Sequence, residues 1–352
     1  MMWILLALAL TGISFGSQEI TFETPRAAAP LPCNQERSDQ FAARARSALS
    51  GGDPAMAAGL FRQAYEACPA KRVLLLEVAR ALTGQRKFDE AIRTANEYLA
   101  SEPASIPGLL VLANALFMDQ QWEKCQEVLD KVLAVEPDNP TALLLEGNNE
   151  YFLGNTDKAE KTLQHLLDVK PDDVDAAYML GRIYYMDNRA EYAMGMFQRV
   201  LRLDPKHYKA WDNLGLCYDA LGDTEMAIRH FLTAIKLVEK DHPEYEWPYA
   251  NLADLLLRQN RYEEAYQAAT QAAKRNPYRA RNFFLGGKAL VKLKRMEDAR
   301  KWLERAVALD PDYTDALYAL GQLYVKLGEK QKGIETLKRF REAKRKAPTQ
   351  RR

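Results

Sequence analysis

Prolines recur along this chain at a fixed interval. Pro69, Pro103, Pro137, Pro171 and Pro205 lie 34 residues apart, and Pro277 and Pro311 are again separated by 34. The 72 residues between Pro205 and Pro277 are two periods plus four. A period of this size marks a chain of stacked supersecondary units, each too small to bury its apolar face alone. Counted from Ser38, residues 38–347 divide into nine units, and the sixth (208–245) holds 38 residues.

Aligning the units exposes two columns of small residues. The eighth place holds Ala45, Ala79, Ala113, Gly147, Gly181, Gly215, Ala253, Gly287 and Gly321. The twentieth holds Ala57, Ala91, Cys125, Ala159, Ala193, Ala227, Ala265, Ala299 and Gly333. Bulk recurs elsewhere, with Trp211, Tyr249 and Phe283 at the fourth place and Phe61, Phe197 and Phe231 at the twenty-fourth. Trp211, Leu214 and Tyr218 follow helical spacing, and turn signals such as "LGD" (221–223) and "LGE" (327–329) separate the two halves of a unit. Each unit therefore predicts two amphipathic helices joined by a short turn. Gly215 breaks the local rule, since glycine in a helix interior costs about 0.5–1 kcal/mol relative to alanine. Close passage of a second helix over that column accounts for it.

The motif W-x2-L-G-x2-Y, followed by A, F and A, is carried in unit six by Trp211, Leu214, Gly215, Tyr218, Ala227, Phe231 and Ala234. It resembles the tetratricopeptide repeat (TPR) family. The resemblance implies an all-α fold, a right-handed α-α superhelix (solenoid) of about nine helix-turn-helix units, with a concave surface lined by the first helix of each. Some units depart from the pattern. Arg44 replaces the usual Leu in unit one, which suits an end repeat. Unit nine has Gly333 for Ala and closes on the charged run "KRFREAKRK", whose side chains are expected to serve as a cap. Glu146 and Glu150 in unit four occupy normally apolar places.

Residues 1–16, "MMWILLALALTGISFG", form an apolar run that reads as a secretory signal peptide cleaved after Gly16, although no Lys or Arg precedes it. An uncleaved N-terminal anchor is the alternative. The expected location is therefore exported, periplasmic or extracellular. Residues 17–37 are Pro- and Ala-rich and read as a linker, and 348–352 as a basic tail. An oxidising compartment permits disulfides. The second helix of unit one returns toward the start of the first, so Cys68 should lie beside the residues before Ser38. That predicts a Cys33–Cys68 disulfide, with Cys125 and Cys217 as buried apolar side chains.

With 49 basic and 48 acidic residues, no global field points to nucleic acid. His165, His207, His230 and His242 share no column and no metal-ligand spacing, so each reads as a surface or loop residue. The sequence holds no G-x-S-x-G, P-loop, H-E-x-x-H or dinucleotide fingerprint, and the repeats leave no room for a catalytic domain. No enzyme activity and no cofactor are expected.

Binding remains. In the family that this chain resembles, places 2, 5, 9, 12 and 13 of each unit face the groove. In units three to five they supply Asn114, Phe117, Asn148, Tyr151, Tyr178, Arg182 and Tyr185, together with Met118, Phe152 and Met186. Asparagine donates and accepts at once and can grip an extended peptide backbone, and the aromatics offer seats for apolar side chains. The same residues equally fit a plainer role as core aromatics and solvated amides. Leu145 and Met179 stand where a carboxylate clamp would need its second Asn. Toward the C-terminus the same places become basic, with Arg258, Arg281, Lys288, Lys292 and Lys326, which suggests an acidic partner unless neighbouring acids neutralise them. Trp247, in the lengthened junction 238–250, falls on the groove rim as a ligand contact or a local repair. The expected function is a non-catalytic scaffold holding peptide segments of partner proteins. Two alternatives stay open: an envelope assembly component that uses its outer or end surfaces, and a regulatory array for a separate catalytic subunit.

Overall fold

The computed structural model describes residues 33–346, and the leader at 1–16, most of the linker and the tail at 348–352 lie outside the described residues. The first helices of the units are α1 (Gln35–Ser50), α3 (Leu74–Gly84), α5 (Ile106–Met118), α7 (Pro140–Phe152), α9 (Val174–Met186), α11 (Tyr208–Ala220), α13 (Trp247–Arg258), α15 (Ala280–Lys292) and α17 (Thr314–Lys326). Their partners are α2 (Pro54–Ala67), α4 (Phe88–Leu99), α6 (Trp122–Val135), α8 (Thr156–Val169), α10 (Ala190–Leu203), α12 (Thr224–Asp241), α14 (Tyr262–Arg275), α16 (Met296–Leu309) and α18 (Lys330–Lys346). The fold is all-helical: these 18 helices form a solenoid of nine antiparallel pairs, and no strand occurs among the described residues.

Both small columns are buried, and the glycines explain why. A Cβ on Gly215 would lie 2.6 Å from the ring of Phe231, one on Gly181 2.8 Å from Phe197, and one on Gly147 2.6 Å from Leu163. The eighth place thus packs beneath the twenty-fourth of its own unit, and the lost helix propensity is offset by burial of a large side chain. Gly333, the small-column exception in unit nine, lies against the backbone itself: its Cβ would sit 3.1 Å from the Gly321 carbonyl oxygen. Gly215→Leu is expected to overpack this contact and cost about 3 kcal/mol. Urea unfolding followed by circular dichroism measures it, and unchanged stability would mean that the helices separate freely there.

The turn inside every unit has one geometry. The fifteenth place has positive φ in all nine units, between 58° and 84°, at Gly52, Gly154, Gly222 and Gly328 but also at Arg86, Gln120, Asn188, Asn260 and Lys294. The next residue donates its N–H back to the carbonyl five residues earlier, as in Asp223 to Tyr218 and Arg261 to Leu256. This Schellman closure satisfies the last carbonyls of each first helix. Between units, Asn139, Asp173 and His207 cap the next first helix by accepting from the N–H of Ala142, Ala176 and Ala210.

Four local expectations are met, completed or corrected. Helix α1 starts at Gln35, inside the stretch read as linker, because the Asn34 side chain caps the Arg37 N–H and the Asn34 N–H donates to the Ala67 carbonyl at 2.8 Å. A Cys33–Cys68 disulfide holds the same junction, while Cys125 and Cys217 are buried free thiols. The four extra residues of unit six extend α12 to 18 residues, where α10 and α14 have 14, so the insertion is one additional helical turn. His230, read as a surface or loop residue, lies mid-helix in α12 and is half-buried. Its ring stacks on Trp211 and Tyr218 at centroid distances of 5.3 and 4.8 Å.

Glu146 and Glu150 are buried in the interface of units three and four. Lys158 from α8 reaches them at 3.2 and 2.5 Å. Gln126 and Thr162 also donate to Glu146, Asn155 donates to Glu150, and Asn149 adds bonds to Gln126 and the Trp122 carbonyl. A hydrogen-bonded polar network replaces apolar packing at these places, and among the described residues only Asn149 Oδ1 of this group is buried without a protein partner. Of α18, only Gly333, Thr336 and Ala343 are buried, which leaves its charged side chains on the surface.

Candidate peptide-binding groove

First helices of successive units touch one another from α3 to α17, whereas second helices make no comparable contacts among themselves. The array therefore curves toward its first helices, and their free faces line the inside of the curve. Helix α5 shows the division: Leu109, Val111, Leu112, Ala113, Ala115 and Leu116 are buried, whereas Asn114 and Met118 are exposed and Phe117 is half-buried.

In units three to five these free faces form a continuous strip. Phe117 meets the edge of Phe152 at 5.7 Å, and Tyr151 meets Phe152 at 5.4 Å. The Arg182 guanidinium lies 5.6 Å over the Tyr151 ring, and the Tyr151 hydroxyl donates to the Met186 sulfur at 2.7 Å. Met118, Phe152 and Met186 are 47, 51 and 61 % exposed, an apolar rim that repeats from unit to unit. Asn148 is half-buried, and its Oδ1 is covered with no protein donor in reach. Trp122 lies outside the groove pattern. It stacks on Phe152 at 4.9 Å and extends the strip onto the start of a second helix, outside the five places that the family pattern assigns to the groove.

Tyr178 is a different kind of residue. It packs on Phe197 and His207 and accepts from Asn213 Nδ2 at 3.2 Å, and burial pushes its hydroxyl pKa up to about 12. Tyr185 is likewise raised, mainly by burial and then by the neighbouring Cys217 and Asp219. Both are partly buried and pack against the core of units four to six. His207 accepts the Ala210 N–H through Nδ1, and burial lowers its pKa, consistent with a neutral capping imidazole.

Beyond unit five lies a buried network that pattern reading missed. Asp212, on the fifth place of unit six, is only 2 % exposed. It accepts from Asn251 Nδ2 at 3.0 Å and from the Tyr245 hydroxyl at 3.4 Å. Burial lifts its carboxyl pKa to about 7, and the bonds to Asn251 and Tyr245 restrain the rise. Asn251 Oδ1 in turn accepts from Arg281 at 3.1 Å. Tyr245 belongs to the lengthened junction, so the extra turn delivers the residue that covers Asp212. Glu246, 4 % exposed, is held by Asn276 and Arg279. Trp247 is 37 % exposed with the Arg279 guanidinium 4.8 Å over its ring, and it joins neither the aromatic strip nor the basic region.

The basic residues part company. Arg258 is bound to Asp219 by two hydrogen bonds of 2.9 and 2.7 Å, which neutralises it. Arg281, Lys288, Lys292 and Lys326 instead surround one cavity of about 550 Å³ between α13, α15 and α17, with Asp254 and Asp315 also on its wall. Among the described residues, no helix is long and apolar enough to cross a membrane.

Nine helix pairs with small-residue contacts, a uniform left-handed turn residue and a concave face of first helices define a TPR solenoid. The chain belongs to the tetratricopeptide repeat family: residues 132–351 match the family described as the cilia and flagella-associated protein 70 C-terminal domain, and residues 42–106 and 82–148 match tetratricopeptide repeat families. The TPR repeat-containing protein YpiA of Bacillus subtilis (strain 168) is 31% identical over 113 residues, which are 31% of this chain and 26% of that protein. The tetratricopeptide repeat-containing protein trd-1 of Caenorhabditis elegans is 26% identical over 110 residues, 31% of this chain and 14% of its own length. The chain thus matches only a minor part of either relative. Among solved structures, the APC/C hetero-tetramer Cut9–Hcn1 superimposes with a TM-score of 0.63 at 16% identity, covering 82% of this chain and 56% of that one. A TPR protein from Parabacteroides merdae superimposes at 0.56 and 18% identity, covering 72% and 99%. These likenesses concern the fold, and family membership makes the chain a protein-interaction scaffold in the general sense.

Proposed function

We propose that this chain is a non-catalytic, exported adaptor that holds extended peptide segments of partner proteins along the concave strip of units three to five. The observation that carries this reading is the strip itself. Asn114 and Asn148 stand one repeat apart beside an apolar rim of Met118, Phe152 and Met186, and the covered Asn148 Oδ1 has no protein donor. An asparagine amide donates and accepts at once, so Asn114 and Asn148 suit successive backbone groups of an extended peptide. The array holds its contact residues at fixed spacing, so little ordering free energy is lost on association. Export is supported by the apolar leader and the Cys33–Cys68 bond, since such bonds persist in oxidising compartments.

The test is capture of partner segments by cross-linking on the exported protein, identified by mass spectrometry, then titration of a captured segment as a synthetic peptide. Asn114→Ala combined with Asn148→Ala is expected to weaken that peptide about tenfold, the equivalent of roughly 1 kcal/mol or slightly more from two backbone hydrogen bonds. Unchanged affinity would move the contact to surfaces outside the groove.

A further inference from the structure

A second stretch of the concave face has a different chemistry. The cavity of about 550 Å³ between α13, α15 and α17 is open to solvent and sized like a ligand site. Its floor is apolar: Leu285 and Leu323 are 2 and 1 % exposed, and Phe284 meets the Tyr313 edge at 5.3 Å. Tyr318, 50 % exposed, stands on the wall with its ring against Phe340. Four cations and two carboxylates share the lining. Arg281 is occupied by Asn251 at 3.1 Å and Asp254 at 3.9 Å. Lys288, Lys292 and Lys326 are exposed, and among the described residues none has a carboxylate within ion-pair distance. Elsewhere, arginines beside the turns are neutralised, as in Arg189 with Glu160 and Arg258 with Asp219. Lys288 Nζ also lies 5.8 Å from the centre of the Phe284 ring, so charge and apolar surface meet at one point.

We propose that this cavity binds an acidic polypeptide segment that inserts one aromatic or branched apolar side chain over Phe284, with its flanking carboxylates on Lys288, Lys292 and Lys326. The proposal rests on the reading of the concave face as a binding surface, but it uses none of the residues of the strip in units three to five. An extended segment points alternate side chains to opposite sides at about 3.3 Å per residue, so carboxylates two places before and after the inserted apolar residue share its side and reach cations on two successive helices. Lysines suit mobile carboxylates, whereas bidentate phosphate recognition favours arginine. Asp254 and Asp315 on the wall repel a dense polyanion, and the net charge of +1 gives nucleic acid no general attraction.

Fluorescence anisotropy on the full chain tests this with a labelled, end-blocked probe, Glu-Glu-Phe-Glu-Glu. Saturable binding is expected that weakens about tenfold as salt rises from low to near-molar concentration. Probes with Gln for every Glu, or Gly for the Phe, are expected to bind about tenfold more weakly or worse, as is the double variant Lys288→Glu with Lys292→Glu. Both lysines are exposed, and Lys288→Gln with Lys292→Gln provides a gentler variant should charge reversal disturb folding. The variant Asn114→Ala with Asn148→Ala should leave this probe unaffected, which separates failure here from failure of the strip. Absence of saturable binding, equal binding of the Gly probe, or equally potent competition by a single-stranded oligonucleotide would each overturn the assignment.

Discussion

Asp212→Asn is expected to flatten the pH dependence of stability between pH 5 and 8 and to leave the variant more stable than the parent at the alkaline end. The Asp212 carboxyl titrates near pH 7 in the folded chain because it is buried, with hydrogen bonds from Asn251 and Tyr245 and the charge of Arg281 lowering the value and Glu246 raising it. In the unfolded chain it titrates near the ordinary aspartate value of about 4. Between those two values the folded state holds the proton and the unfolded state has released it. Stability therefore falls as pH rises through that window, and the loss is complete above the folded value. Three pH units at about 1.4 kcal/mol each set an upper scale of about 4 kcal/mol. The substituted amide keeps an acceptor for Asn251 and removes the titration, so a gain of about 3 kcal/mol at pH 8 and little difference near pH 4 are expected. Urea midpoints of both proteins at pH 5 and pH 8 decide the matter. Parallel losses in the two proteins would mean that Asp212 keeps its charge throughout.

Lys158→Ala carries the other large effect. It removes the cation that faces Glu146 and Glu150, whose side chains are only 10 and 3 % exposed. Two buried carboxylates would then face each other with amide and hydroxyl donors alone. Losing one partner of a buried ion pair costs about 3–5 kcal/mol, and the half-exposed lysine reduces the expectation to about 2–3 kcal/mol. Adding Glu146→Gln and Glu150→Gln should recover most of it, because neutral amides need no counter-charge. Thermal and urea unfolding of the single and triple variants measure both steps. If the single variant unfolds like the parent, water already screens this network and the pairing adds little.

The two sites also show how far residue patterns reach. Glu146 and Glu150 are visible in the sequence as acids on apolar places, which flags the anomaly. Their partners Lys158, Gln126 and Asn155 carry no such flag, because helix periodicity describes one helix at a time. The turns behave similarly. Gly222 and Gly328 advertise a left-handed residue, yet Arg86 and Lys294 adopt the same conformation because closure of the preceding helix imposes it. The groove was legible as a list of places, and the structure does bring Phe117, Tyr151 and Arg182 into one strip. It also packs Tyr178 on Phe197 and His207 and adds Trp122, a residue that no groove column contains.

By itself the sequence determined the period, the hairpin of each unit, the small columns and the face that each first helix turns inward. All of these follow from spacing within a single repeat, where short-range sterics and burial leave few choices. The tertiary structure decided which charges survive. Arg258 and Lys288 look alike in the pattern, yet Asp219, on the first helix of the preceding unit, neutralises one while the other is left facing the cavity. Such pairings depend on how far one unit is rotated and shifted against the next. That geometry is set by lateral packing, including the extra turn of α12 that brings Tyr245 onto Asp212.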